Sequence, residues 1–234
     1  MSRSAEWKIG LNGALNEAVF LGIDVDTEIN LAAVTLKLLT LPASGPPPDD
    51  RRVQFLFYPI GRIAASLRHE NNGDASGNHT SFELPDLAGI VANFRRPIFG
   101  WDFFDLDADF ETWRARISLD WQDGDRPGRR HSVTFFQHAS PRELDLRLWF
   151  DGLAAVDATG GILNIGDIID DGARWWDGLY AGDPRTRGEG ISVSDAGEAG
   201  AYLRDSRTTP SVADLTSLPK PALSPHELEN ICIG

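Results

Sequence analysis

Residues 113–121, WRARISLDW, decide the fold class, because apolar and polar side chains alternate along them without a break. Successive side chains of a strand point to opposite faces of a sheet, so this period of two predicts a half-buried antiparallel strand. Residues 131–138 and 143–150 are interpreted in the same way, and short segments rich in turn-forming residues separate the three runs. We therefore expect three consecutive strands that pair in chain order as a meander.

The pattern continues towards the N-terminus. Residues 19–26 and 30–41 indicate two strands, and residues 53–57 and 63–67 indicate a third that is interrupted at 58–61, YPIG, by a turn or a bulge. The loop between the segments 30–41 and 53–57 contains three consecutive prolines. It must lie outside any sheet, because each proline removes a backbone donor.

Two segments change to the helical period. Residues 87–94 place apolar side chains three and four positions apart, with Pro85 suited to the first turn and Pro97 beyond the end. Residues 167–180 form the second, although Gly172 weakens a helix by about 1 kcal/mol relative to Ala. Strands joined mostly by short turns, with about two helices, predict an α+β fold whose mainly antiparallel sheet is a sandwich or an open, barrel-like structure.

The length predicts one large domain followed by a tail. We expect residues 1–181 to form a single α+β domain. Residues 182–234 are rich in Gly, Ser and Pro and predict an irregular tail that packs on the domain or extends from it. Within the tail, residues 199–204 and 226–233 are the best candidates for short ordered pieces.

Charge and cysteine content exclude several classes of protein. The chain has 22 Lys and Arg against 35 Asp and Glu, a formal net charge of −13, which argues against nucleic-acid binding. A single cysteine, Cys232, excludes disulfide scaffolds and zinc-thiolate clusters. The sequence shows no signal peptide and no membrane-spanning run, so we expect no membrane partner and a cytoplasmic location. The preference for Arg over Lys suggests a GC-rich bacterial genome.

One stretch has an unusual acidic pattern. If residues 100–111 are extended, one face presents a ladder of four carboxylates, Asp105, Asp107, Asp109 and Glu111. Like charges on one face repel, so the ladder requires solvent, a cation or nearby arginines. A hard-cation site is one interpretation, and pairing with Arg114 and Arg116 of the next strand is the favoured one.

Aromatic side chains suggest a binding surface. Trp175 and Trp176 are adjacent, so on a helix they point about 100° apart, and one can enter the core while the other reaches its edge. Trp149 lies on the polar side of its strand. We hypothesise that Trp149 and one of this pair line a shared apolar patch, whereas plain packing between helix and sheet is the competing interpretation.

Catalytic sequence motifs are missing, and this leads to the functional prediction. No nucleophile elbow, phosphate loop, dinucleotide fingerprint or metal-ligand spacing is complete, and we expect no cofactor. We predict a non-enzymatic domain that binds a protein partner or a small ligand, and the acidic surplus fits a cationic partner. The alternative is a hydrolase or other enzyme that uses Asp102, Asp105 and Asp107, with or without a divalent metal.

Overall fold

The computed structural model describes most of the chain. The described residues are 3–69, 79–94, 98–104, 114–124, 128–139, 141–187 and 217–233.

An antiparallel sheet forms the centre of the fold. Its strands are β1 (Val19–Asp26), β2 (Leu31–Lys37), β3 (Arg52–His69), β4 (Ile98–Phe104), β5 (Leu119–Gln122), β6 (His131–Ala139), β7 (Arg142–Asp157) and β8 (Ile162–Leu163). Six of them lie in the order β1-β2-β3-β7-β6-β4, while β5 pairs with β3 and β8 with β7. The α-helices are α1 (Arg3–Ala14), α2 (Leu87–Phe94), α3 (Ile165–Ala181) and α4 (Pro225–Ile231). The predicted α+β class with a mainly antiparallel sheet is confirmed.

The two longest strands form the spine of the sheet. β3 and β7 pair from Val53–Asp157 to His69–Arg142, and the register shifts between Ile60 and Arg62. This irregularity lies in the segment for which the sequence predicts a turn or a bulge, and the chain continues through it as one strand of 18 residues. A β-bulge bends a strand and increases its local twist. The residues of β7 in the main core accordingly change from even positions (Leu148, Phe150) to odd ones (Leu153, Ala155) across the irregularity.

The predicted meander is confirmed for its second and third strands, since β6 and β7 pair as consecutive antiparallel strands, and is wrong for its first. β5 begins only at Leu119 and pairs with β3, and the residues Arg114–Arg116 form a 3-10 turn. Ile117 and Leu119 share one parity in the sequence, yet Ile117 packs with Ala64 and Trp149 while Leu119 joins the main core. The alternation along 113–121 is therefore not the mark of one continuous strand, and Trp113 lies outside the described residues.

The two faces of the sheet differ. One face forms the main core with α1, α2 and α3 and includes Phe57, Phe135 and Phe150, all of them buried. On the other face, the half beside β2 is apolar and is covered by Leu228 of α4. The half beside β5 and β6 carries charged side chains, among them Asp145 and Arg147, which are also buried.

Helices α1 and α3 pack very closely. A β-carbon added at Gly172 of α3 would lie 2.5 Å from Cβ of Ala14, and one at Gly10 of α1 would lie 2.8 Å from a side-chain carbon of Ile169. These glycines, which weaken both helices by propensity, allow the close approach. α3 is further defined at its ends, because the side chain of Asn164 accepts a hydrogen bond from Gly166 N and Gly182 ends the helix in the left-handed region with φ of 75°.

Candidate functional site

A pocket of about 370 Å³ opens at an interruption in the sheet. β6 pairs with β7 only as far as Phe150, and β8 joins the same edge of β7 at Ala155. Between these points Leu153 bonds instead to Ile233, near the C-terminus. The residues that line the pocket are Trp7, Leu153, Ala154, Leu163, Asn164, Ile165, Gly166, Ile169, Ile231 and Ile233.

Helix α1 contributes an aromatic wall. Trp7 meets the ring of His131 edge-on at 5.9 Å between centroids, and His131 in turn lies 5.7 Å from Phe150 of the main core. The Nζ of Lys8 lies 5.9 Å from the centroid of the Trp7 ring, within reach of a cation–π contact. These contacts connect the indole to the main core through His131.

The opposite wall comes from the start of α3 and from β8. The Oδ1 of Asn164 accepts a hydrogen bond from Gly166 N at 2.7 Å, which caps the helix and fixes Ile165 and Ile169 relative to the pocket. Asn164 contributes a polar side chain and Trp7 an indole N–H, and none of the ten lining residues, all within the described ranges, carries a charge. Mainly apolar walls with a small number of polar groups are typical of small-molecule sites.

Two exposed apolar side chains belong to segments that border the pocket. Ile162 is 62% exposed and Ile233 is 38% exposed, and they belong to the few large apolar side chains at the surface of the described structure. Ile162 neighbours Leu163 in β8, and Ile233 itself lines the pocket. Ile233 is thus an exposed apolar side chain at the pocket itself, whereas Ile162 pairs with Val156 and points to the opposite face from Leu163.

Trp149 is placed in a different region. It is 4% exposed, and its ring lies between the guanidinium groups of Arg62 and Arg147 at 5.1 and 5.7 Å. The Nε of Arg147 also donates a hydrogen bond to Thr134 Oγ1 at 2.8 Å. Trp149 is thus enclosed by charged neighbours on the polar half of the sheet.

The tryptophan pair belongs to a third region. Trp175 is fully buried and Trp176 is partly buried, and both pack with Leu39 and Leu41 at the far end of α3. Trp176 also contacts Tyr180, which is 69% exposed, at 6.3 Å between ring centroids. The structure therefore does not bring this pair together with Trp149, and none of the three lines the pocket.

The acidic ladder lies outside the part of the chain that the structure describes. Asp105, Asp107, Asp109 and Glu111 lie outside the described residues, and of Asp102 the structure gives the backbone, which pairs with Thr134. The pairing of the ladder with arginines therefore stays a prediction.

Within the described residues, Arg116 lies near the carboxylate of Asp145. The Nη2 of Arg116 is 3.8 Å from Asp145 Oδ2, and the Nη2 of Arg68 is 2.6 Å from the same oxygen. Burial raises the pKa of Asp145, and the two nearby arginines oppose that rise. The charges on this half of the sheet thus form a buried ion-pair network.

The described residues offer little for covalent or metal chemistry. Within the described ranges, no group of three or more His, Cys, Asp or Glu side chains could hold a metal ion. Burial raises the pKa of Cys232 to about 12, so its thiol stays protonated and unreactive near neutral pH. In the same part of the chain, no helix combines the length and apolar character needed to cross a bilayer.

Comparisons with known proteins give no assignment. The chain matches no protein-family model, and no curated protein or solved structure is significantly similar to it.

Sequence reasoning missed the pocket because its walls come from distant parts of the chain. Trp7 lies near the N-terminus, Leu163 and Ile165 lie between β8 and α3, and Ile231 and Ile233 lie near the C-terminus. One sequence feature pointed to this region, namely Ile231 and Ile233 in the segment 226–233. The sequence predicts that this segment is ordered, but it does not indicate what the segment contacts.

Proposed function

We propose that this protein binds a small, uncharged apolar ligand in the pocket between α1, α3 and β7, and that it does so without transforming the ligand. The observation that carries the proposal is the lining itself, in which apolar side chains from several separate segments converge on one opening. This develops the prediction, made from the sequence, of a non-enzymatic binding protein.

The size of the pocket limits the ligand. A dry cavity of about 150 Å³ lined by aliphatic and aromatic residues binds benzene. A volume of about 370 Å³ is more than twice as large and lies at the lower end of the range for small-molecule sites. We therefore expect a compound with roughly two six-membered rings, or a branched aliphatic group of similar size.

The lining also limits the polarity of the ligand. Removing a charge from water without a partner costs several kcal/mol or more, and no lining residue could neutralise one. The Trp7 ring offers a flat surface for stacking, and Asn164 offers one amide at the edge. An aromatic or alicyclic body with at most one hydrogen-bonding group is the chemistry that this site fits.

Naphthalene is a suitable probe because it has two fused rings and no charge. We expect it to raise the melting temperature and to shift the NMR signals of the Trp7 indole and the Leu153 and Ile169 methyl groups, with benzene binding more weakly. Leu163→Trp, which places a ring in the pocket, should weaken naphthalene binding at least about tenfold, or about 1.4 kcal/mol. Ile162→Trp is the matched control, because Ile162 is exposed and does not line the pocket.

Two results would contradict the proposal. The first is an unchanged spectrum of the wild-type protein in saturated naphthalene. The second is equal affinity of Leu163→Trp and Ile162→Trp for naphthalene, provided that both variants melt as the wild type does, because binding would then occur elsewhere.

A protein partner is the second candidate, and the exposed Ile162 and Ile233 favour it. An apolar side chain of a cationic partner could then fill the pocket while the acidic surplus attracts the rest of its surface. If the protein binds a cationic partner in this way, its affinity for that partner should fall steeply as the salt concentration rises, whereas its affinity for naphthalene should not.

The enzyme alternative with Asp102, Asp105 and Asp107 stays a prediction from the sequence. Thermal stabilisation by Mg²⁺ or Ca²⁺ that is lost in Asp105→Asn would support it. A bacterial origin likewise stays a prediction from composition, and a cytoplasmic location stays a prediction from the search of the sequence for targeting signals.

A further inference from the structure

Residues 217–233, which we call the C-terminal strap, contact the rest of the protein at three separate anchors. At the first, Gln54 donates a side-chain hydrogen bond to the carbonyl oxygen of Leu218 at 3.2 Å, and Lys220 lies 2.5 Å from a carboxylate oxygen of Asp26. These contacts bring the start of the strap to β1 and β3.

The second anchor is apolar. Leu228 of α4 is fully buried on the face of the sheet opposite the main core. It packs in one cluster with Leu31, Ala33, Leu56, Tyr58, Ala154 and Val156. The helix is capped by Ser224 and Glu227, whose side chains satisfy each other's backbone N–H groups. At 7 residues it is too short to persist in water, so its contacts with the sheet must hold it together.

The third anchor closes the pocket. The N–H of Leu153 donates to the carbonyl of Ile233 at 2.9 Å, and the N–H of Ile233 donates to the carbonyl of Leu153 at 2.8 Å. This bridge occupies the edge of β7 that β6 and β8 leave open. It positions Ile231 and Ile233 as one wall of the pocket.

Two glycines of the sheet accommodate the strap. A β-carbon at Gly22 would lie 2.7 Å from Cβ and 3.1 Å from Oγ of Ser217, so the atoms nearest to it belong to the strap. One at Gly152 would lie 2.8 Å from Cβ of Cys232, but also 3.2 Å from the carbonyl oxygen of Tyr58. A methyl group at Gly22 therefore meets the strap first, whereas one at Gly152 also strains the β3–β7 pair.

From this arrangement we propose that the C-terminal strap is a movable wall of the pocket, so that docking of the strap and binding of the apolar ligand strengthen each other. The inference rests on the proposed function for its ligand. A ligand that contacts Ile231 and Ile233 gains those contacts only when the strap is docked. Thermodynamic linkage makes this effect reciprocal. If docking of the strap raises the affinity for the ligand by some factor, binding of the ligand raises the equilibrium constant for docking by the same factor.

The proposal is tested on the full chain with naphthalene as the probe. In the wild type, saturating naphthalene should slow amide hydrogen exchange at Leu228, Ile233 and Leu153. Gly22→Ala should speed exchange in the strap and weaken naphthalene binding by about tenfold, within the usual range of coupling between sites. Gly13→Ala is the matched control, since a β-carbon at Gly13 meets nothing within 4 Å.

A second variant tests the coupling by a different substitution in the strap. Leu228→Ser takes away the apolar anchor and should likewise free the strap and weaken binding, while exchange in the β3–β7 spine stays slow.

The outcomes separate the two proposals. If Gly22→Ala and Leu228→Ser free the strap but leave naphthalene affinity unchanged, the coupling is wrong and the proposed ligand site stands. If naphthalene binds the wild type without slowing exchange in the strap, the coupling is again wrong. If the wild type does not bind naphthalene, the proposed function fails, and the movable wall fails with it.

Discussion

A β-carbon added to Gly172 would lie 2.5 Å from Cβ of Ala14 and 2.7 Å from its Cα. Helices α1 and α3 thus meet backbone to backbone at this point, and the glycine is required by the packing of the helices. The contact also fixes the relative position of two pocket walls, because Trp7 lies on α1 and Ile169 on α3.

Gly172→Ala should destabilise the protein, although alanine is the better helix former by about 1 kcal/mol. The added methyl group meets backbone atoms that cannot rotate away, and overpacking of this kind costs about 1–3 kcal/mol. We expect a net loss of up to about 2 kcal/mol in the free energy of unfolding, measured by urea denaturation. Gly89→Ala in α2 is the control, because it faces open space and should stabilise by up to about 1 kcal/mol. A stabilised Gly172→Ala variant would refute the close contact.

Arg147→Lys should destabilise the polar half of the sheet even though it keeps the charge. Lysine can neither stack a planar group on Trp149 nor reproduce the Nε hydrogen bond to Thr134. One hydrogen bond and one cation–π contact together predict a loss of about 1–2 kcal/mol in the free energy of unfolding.

The matched control for Arg147 is Arg130→Lys. The side chain of Arg130 is 66% exposed, so its replacement should change stability by less than about 0.5 kcal/mol. Equal unfolding midpoints for the two variants would show that the arginine at 147 contributes charge alone.

Asn164→Ala should weaken the start of α3. Its Oδ1 satisfies the N–H of Gly166, and loss of such a cap costs about 1 kcal/mol. Asn164→Asp keeps an oxygen in the same place and should retain the stability of the wild type, because a negative charge is favourable at a helix N-terminus. The aspartate would also place a charge at the pocket edge, so naphthalene should bind this variant less well. Wild-type stability of Asn164→Ala would contradict the assigned cap.

Acid should release the C-terminal strap. The hydrogen bond from Lys220 lowers the pKa of Asp26 below its usual 3.8, and the one from Ser224 lowers the pKa of Glu227 below 4.5. A carboxylate whose folded pKa is depressed stabilises the fold above its ordinary pKa, and this contribution disappears as the pH falls through the depressed value. Asp26 holds the strap to β1 and Glu227 caps α4 within the strap, so both contributions begin to fall at the ordinary pKa values and are lost as the pH drops through the depressed ones.

Methyl NMR signals of Leu228 and Ile233, recorded from pH 6 downwards to about pH 3, measure this release. We expect these signals to move before those of Phe57 and Leu148 in the main core. Asp26→Asn should loosen the strap at neutral pH and remove part of the acid response. An acid response that is identical in strap and core would contradict the local origin of the effect.

Local patterns predicted much of the fold. Strand 19–26 matches β1 in both bounds. The apolar period at 87–94 coincides with α2, but Pro85, expected in its first turn, lies in the 3-10 helix Leu84–Asp86 just before it. The segment 113–121 failed for a specific reason. Ile117 and Leu119 are both buried in part or in full, but on opposite faces of the sheet, and periodicity cannot show which face receives an apolar side chain.

The candidate site could not be predicted from local patterns. Helix α1 carries glycines at positions 10 and 13, which reduce helix propensity, and the reason for Gly10 is its contact with Ile169 on another helix. The pocket needs the N-terminal helix, the start of α3 and the last turn of the chain at one place. The tryptophans that the sequence singled out lie away from the pocket. Trp149, for example, packs against the guanidinium groups of Arg62 and Arg147.

The β3–β7 spine also determines the order in which the chain can fold during synthesis. β3 can pair with β2 as soon as both leave the ribosome, but its other edge finds β7 only after Asp157 has been added. Until then, a long strand with Phe55, Phe57 and Ile63 presents unpaired backbone groups, the state from which chains aggregate. A nascent chain stalled before Arg142 should therefore require a chaperone.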